Sequence, residues 1–262
     1  MPLYTLSTDV IELFGLVYLR VLGLLITMPV FSSGEIPRPL RAALAAALAM
    51  IATIVLSGRP VTLPATGGGY VLAAASEFFL GLAAGYLLHW VNEAVAIGAQ
   101  MVGFQMGLAI VNVIDPITGT SISLTASFQM RVAVMVFLVS GLYREFVAAI
   151  FTSFELVPLG AAVWKASYAR EFTETVGLAL KASIGLAGTP IVSLLLAKLV
   201  LGIIARTVPQ MNVFVVGFPV TIAVGLLATA AVMPLFVEWV QQDYVASLRR
   251  MLLFLQQTAP QP

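Results

Sequence analysis

The chain has 262 residues, 60% hydrophobic and only 10% charged, with a net charge of +1 and a mean hydropathy of +1.03. Soluble domains carry about 25% charged residues, so this composition excludes an ordinary soluble fold and predicts an integral membrane or membrane-complex protein. The balanced charge, with no cluster of Lys and Arg, excludes a nucleic-acid binder. The absence of cysteine excludes disulfides, thiolate metal sites and thiol nucleophiles, and leaves the redox compartment open.

Seven apolar segments follow one another, at residues 10–30, 40–56, 70–88, 91–114, 128–154, 173–204 and 213–240. A spanning helix needs about 20 mostly apolar residues. The N-terminus has no basic stretch before Arg20, so a cleaved signal peptide is not expected and the first segment is expected to be retained. The second segment is short and alanine-rich, which fits the inside of a helix bundle better than a lipid-facing span. The sixth is too long for one straight span, and Gly185, Gly188 and Pro190 are expected to break it, because proline removes a backbone donor and clashes with the preceding turn. The tail from Gln241 reads as a separate amphipathic helix, with Val245, Leu248, Leu252 and Leu255 near one face, lying on a membrane surface or a partner. Gly, Pro and Ser punctuate the short loops at 32–39, 57–69 and 157–170. Seven spans would put the termini on opposite sides. The positive-inside rule would then place Arg38, Arg41, Lys165, Arg170, Arg249 and Arg250 in the cytoplasm, against Arg59, Arg131 and Arg206 on the other side.

Two GxxxG motifs, Gly81/Gly85 and Gly103/Gly107, lie on consecutive segments. Small residues one turn apart let helix backbones approach closely, although glycine is also simply common in membrane helices. Arg20, Glu77, Glu93, Lys181 and Lys198 fall within or beside apolar segments. Each would cost about 2.5–3.5 kcal/mol at a lipid-facing helix centre. They read either as an ion or proton relay or as ion pairs between helices or subunits, with Lys181 and Arg20 as alternative partners for Glu77. His89, the one histidine, sits beside Trp90 at a segment end, where an interfacial side chain or a proton shuttle both fit.

No GxSxG, HExxH or Walker pattern occurs, and Gly67-Gly68-Gly69 lacks the context of a dinucleotide site. No enzyme and no cofactor are expected. Two stretches remain. Residues 101–116, MVGFQMGLAIVNVIDP, form an apolar run interrupted by Gln105 and expected to stop at Asp115-Pro116. Such a run ending in a polar joint reads either as a plain helix end or as a hydrophobic gate. Residues 206–219, RTVPQMNVFVVGFP, place a polar break in an oily chain, which must be held by protein or line a cavity.

These stretches carry a resemblance to one family. RVLGLLITMPVF (20–31) and IPRPLR (36–41) resemble its opening segment and first loop. GFQMGLAIVNVIDP (103–116) resembles its central motif, and residues 206–219 are similar to its C-terminal signature, carried here by Arg206, Pro209, Gln210, Asn212, Phe214, Gly217 and Pro219. The family is FliR, the export-gate protein of flagellar and other type III secretion systems. The resemblance implies an all-α membrane-complex protein of kinked helical hairpins, with a FliP-like part at about 1–170 and a FliQ-like part at about 171–262. It implies a bacterial inner-membrane, basal-body location and assembly with FliP and FliQ into a channel for unfolded proteins. FlhB, FlhA and the basal-body ring are implied neighbours. By position, a channel plug falls within residues 110–123, with Ile110, Val111, Val113, Ile114, Asp115 and Pro116 as its candidates. The closeness of the match favours a flagellar gate over its injectisome counterpart. A secondary transporter is the main rival from another class, and the chain lacks the paired halves that such proteins often show.

Overall fold

The computed structural model describes residues 8–28, 31, 36–57, 64, 66–108, 124–166, 168–208, 210 and 212–260. Its elements are α1 (Thr8–Thr27), α2 (Arg38–Leu56), α3 (Gly67–Met106), α4 (Leu124–Val139), α5 (Leu142–Leu156), α6 (Tyr168–Thr207) and α7 (Val213–Thr258). The class is all-α, as the sequence predicts. Helices α1, α2, α3, α6 and α7 are long and apolar enough to cross a membrane, and the broken pair α4/α5 makes a sixth if it counts as one span.

The seven-span reading is therefore corrected in several places. Segment 70–88 and the part of segment 91–114 up to Met106 belong to one 40-residue helix, α3. The polar His89 does not interrupt a ladder of backbone hydrogen bonds that ignores side-chain polarity. This helix stops at Met106, well before Asp115-Pro116, because Gly107 turns the chain at φ +86°. Segment 128–154 is split where Gly141 takes φ +76°. Segment 173–204 is not split: α6 runs through Pro190, and α7 runs through Pro219 and Pro234. Each proline removes a single donor, and the intact turns on either side carry the helix past it. The tail is not a separate helix but the last turns of the 46-residue α7. Its buried stripe is Tyr244, Ser247, Met251, Phe254, Leu255 and Thr258, whereas Val245 is exposed. Only this register keeps a three-to-four-residue spacing with Val240 before it.

The chain clusters into two compact units, each assembled from separated stretches of sequence. Unit 1 holds Met1–His89, Gly141–Thr173 and Tyr244–Pro262. In it α1 buries a helical stripe of Leu13, Leu16, Val17, Val21, Leu24 and Leu25. Helix α2 packs on α1 and buries Ala45, Ala49 and Ala52. The expected interior position of α2 is not found within this chain, since Met50, Ile51, Ile54 and Val55 are exposed on its other side. The alanine stripe occupies the one face of α2 that packs on α1. Where α3 crosses α1 the backbones touch. Side chains added at Gly81 or Gly85 would collide with α1 at Arg20, Leu24 and Thr27, and one at Gly23 with α3 at Phe78 and Leu82. The end of α7 is tied in by Val163 N–H donating to the Thr258 carbonyl (3.0 Å) and Tyr168 Oη donating to that of Gln257 (2.9 Å). Tyr86, Phe172, Phe254 and Tyr168 form a continuous aromatic row, with centroid separations of 5.8, 6.0 and 5.1 Å.

Unit 2 holds Trp90–Ser140 and Glu174–Asp243. Within it α6 and α7 run antiparallel: Leu201 touches Gly217, and residues 182–190 share a cavity with residues 229–239. The second half of α3 lies against them. Val102 and Met106 pack with Ala187 and Leu194, while Leu108, Ile191 and Val224 close the cluster. Gly98 gives α3 its close approach to α6, since a Cβ there would lie 2.8 Å from the Ser183 carbonyl oxygen. At the other end of this half of α3, Trp90 meets Trp239 edge to face.

Candidate functional site: a junction of two motifs

The central motif and the C-terminal signature, about a hundred residues apart in sequence, meet in unit 2. The end of α3 is shaped by its own residues first. Gly107 N–H donates to the Phe104 carbonyl (3.1 Å) and Leu108 N–H to that of Gly103 (3.1 Å), with Gly107 left-handed. This is a Schellman termination, which satisfies the last carbonyls and requires a residue free to take positive φ. Leu108 then folds back onto the Val102/Met106 cluster, the apolar contact that accompanies such an ending.

Helix α7 seals this end. Thr221 Oγ1 donates to the Met106 carbonyl (3.0 Å), which α3 itself leaves open. The Phe218 ring covers Gly107 so closely that a Cβ there would stand 2.7 Å from it. The Met106 side chain fills the space above Gly225, where any side chain would collide with it. Helix α6 contributes Lys198, whose Nζ donates to Gln105 Oε1 (2.6 Å). An open groove of about 390 Å³ runs alongside, lined by residues of both motifs and by Lys198, Leu201 and Gly202.

The plug candidates Ile110, Val111, Val113, Ile114, Asp115 and Pro116 lie outside the described residues, between Leu108 and Leu124. The structure does place the two ends of that segment. Leu108 sits in the unit 2 cluster, and Thr125 Oγ1, one residue into α4, donates to the Ala99 carbonyl of α3 (3.2 Å).

Of the packing glycines, Gly81 and Gly85 face α1 and Gly103 is buried. Gly107 has the further role of ending the helix, which GxxxG spacing does not reveal. Of the signature residues, Arg206 is in the last turn of α6 and exposed, and Gln210 is exposed in the turn. Asn212 caps α7: Val215 N–H donates to its carbonyl oxygen (3.0 Å) and to its side-chain Oδ1 (3.4 Å). Gly217 and Pro219 lie in the first turns of α7, as does Phe214; Pro209 is outside the described residues. Sequence reasoning missed Thr221, Phe218 and Gly225 as the partners of Met106 and Gly107. No local pattern marks them, because each acts on a residue more than a hundred positions away.

The intramembrane charges resolve differently from one another. Arg20 and Glu77 are fully buried in unit 1 and form an ion pair through Arg20 Nε and Glu77 Oε2. Arg20 Nη1 also donates to the carbonyls of Ser153 (2.9 Å) and Val157 (2.8 Å) at the C-terminus of α5. There its charge also complements the helix dipole. The guanidinium lies 4.6 Å from the centre of the Phe154 ring. Glu77 Oε1 accepts the N–H of Gly160 (2.8 Å). Of the two partners considered for Glu77, the chain uses Arg20. Glu93, Lys181 and Lys198 are exposed, and His89 is half-buried. Among the described residues no three His, Asp or Glu gather in a way that could hold a metal ion.

Residues 11–246 match the model of the family described as "Bacterial export proteins, family 1". The flagellar biosynthetic protein FliR of Bacillus subtilis is 34% identical over 227 residues, covering 84% of this chain and 85% of that protein. FliR of Escherichia coli K12 is 28% identical over 83% of this chain and 82% of its own length. FliR of Aquifex aeolicus is 28% identical over 83% of this chain and 84% of its own length. A match of this extent, on a fold whose two motif regions close on each other, establishes that the chain belongs to family 1 of the bacterial export proteins, the FliR family of the flagellar export apparatus.

Proposed function

We infer that this chain is a structural, channel-forming subunit of the flagellar type III export gate, assembling with FliP and FliQ to pass unfolded proteins across the bacterial inner membrane. The observation that carries this reading is the FliR-family match over residues 11–246, centred on motifs that meet at the root of segment 109–123. The many large apolar side chains left exposed, among them Leu72, Leu227 and Leu235, support a chain completed by lipid and partner subunits. Residues 110–123 act as the plug of the closed channel, with Ile110, Val111, Val113, Ile114, Asp115 and Pro116 as its candidates. Residues 1–170 play the FliP-like part and 171–262 the FliQ-like part, with FlhB, FlhA and the basal-body ring as neighbours. Catalysis and a cofactor have no place in this role, and partner proteins supply the energy. The relatives' flagellar names favour this over an injectisome gate.

The test is co-expression with FliP and FliQ from the same genome, followed by affinity purification through a tag on this chain. A stoichiometric complex is expected. A chain that purifies alone, free of both partners, would overturn the reading.

A further inference from the structure

Lys198 is the one charged residue between Lys181 and Arg206. That stretch, residues 182–205, spans about 36 Å as a helix, slightly more than a bilayer core of about 30 Å. Lys198 lies about 7 Å from its midpoint. Its side chain is exposed on the chain, and its Nζ donates to Gln105 Oε1 at the end of α3 (2.6 Å). An ammonium has three protons to donate. A neutral amide takes one, and among the described residues no carboxylate forms an ion pair with Lys198. Among the described residues that line the groove beside it no other is charged, and Gly202 on its wall has open space where a side chain would stand.

From this geometry we propose that the groove receives a membrane helix of a neighbouring protein, and that a single Asp or Glu on that helix pairs with Lys198. Charge complementarity sets the occupant. A cation fixed at this depth needs an anion at the same depth, and only a carboxylate carried on another helix is delivered there. A lipid phosphate stays at the headgroup level, outside the hydrocarbon core. The bare wall at Gly202 lets a partner backbone come close, as small residues do between membrane helices. The Gln105 contact orients the ammonium before the partner arrives. The inference rests on the export-gate reading, because it assumes that the chain works inside an assembly.

The experiment uses the full chain co-expressed with the other membrane proteins of the export apparatus. Lys198→Glu is expected to lower recovery of the chain in the assembled complex about tenfold or more, as when one member of a desolvated charge pair opposes its partner. A carboxylate-to-lysine change in one partner helix is expected to restore recovery. A photo-crosslinking benzoylphenylalanine in place of Phe104, an exposed aromatic side chain on the groove wall, in a chain that keeps Lys198, is expected to capture that same partner. Undiminished recovery of Lys198→Glu, rescue only by changes within this chain, or crosslinks only to lipid would each overturn the pairing. If instead the unaltered chain enters no complex, it is the export-gate reading that fails.

Discussion

Arg20 and Glu77, 57 positions apart in sequence, form an ion pair with both side chains fully buried in unit 1. The pair joins α1 to α3, and its outer hydrogen bonds add the end of α5 and the Gly160 turn. Arg20 Nε and Nη1 and both Glu77 carboxylate oxygens have named partners, while Arg20 Nη2 has none among the described residues; buried charges are tolerated when paired and hydrogen-bonded in this way.

Breaking this pair from one side is predicted to be severe. Arg20→Met or Glu77→Leu alone leaves a buried charge without its partner and should cost about 3–5 kcal/mol. The double variant should recover part of that loss, because no lone charge remains. Thermal unfolding of the purified protein in detergent checks this. Equal or additive losses in the double variant would show that the charges do not act as a pair.

Glycines on the same kind of helix are predicted to differ by what they face. Gly85→Leu should prevent α1 and α3 from packing, since its side chain would meet Thr27 and the Leu24 carbonyl. Gly177→Ala on α6 meets nothing within 4 Å. It should be neutral or stabilise by about 0.5–1 kcal/mol through a less flexible unfolded chain. Comparing the accumulation and melting of the two variants tests the α1–α3 contact.

Gly107→Ala is predicted to suffer twice. The left-handed backbone costs an L-residue about 1–2 kcal/mol, and the new Cβ would stand 2.7 Å from the Phe218 ring. Adding Phe218→Leu should relieve the collision and leave the backbone cost. A double variant as stable as the parent would mean that Gly107 does not need positive φ.

Deleting residues 113–120 is predicted to leave assembly with FliP and FliQ intact and make the channel leaky to small solutes. The residues that anchor the segment, Leu108 and Thr125, lie outside the deletion. Ion conductance or dye efflux in membranes holding the assembled variant measures the leak. Unchanged permeability in a fully assembled complex would count against the plug.

Some of this was legible in the sequence, and the boundary follows physical range. Hydropathy is a local sum, so the apolar segments and the all-α class could be read directly. The capping role of Asn212 was also within reach, because a cap acts over three residues. The ends of α3 and the break before α5 were not. Both depend on a glycine adopting positive φ, and Gly107 and Gly141 look no different in sequence from Gly103 or Gly188, which remain helical.

By itself, then, the sequence determined the class, the oily surface and the family, because composition, helical periodicity and motif residues are properties of neighbouring positions. Only the tertiary structure decided that Glu77 takes Arg20 rather than Lys181, that α3 ends at Met106 under Thr221 and Phe218, and that the tail packs along Tyr244, Met251 and Phe254. Each of these is a choice among partners far apart in the chain. It is settled by which backbones can approach closely enough to satisfy a buried charge or an open carbonyl.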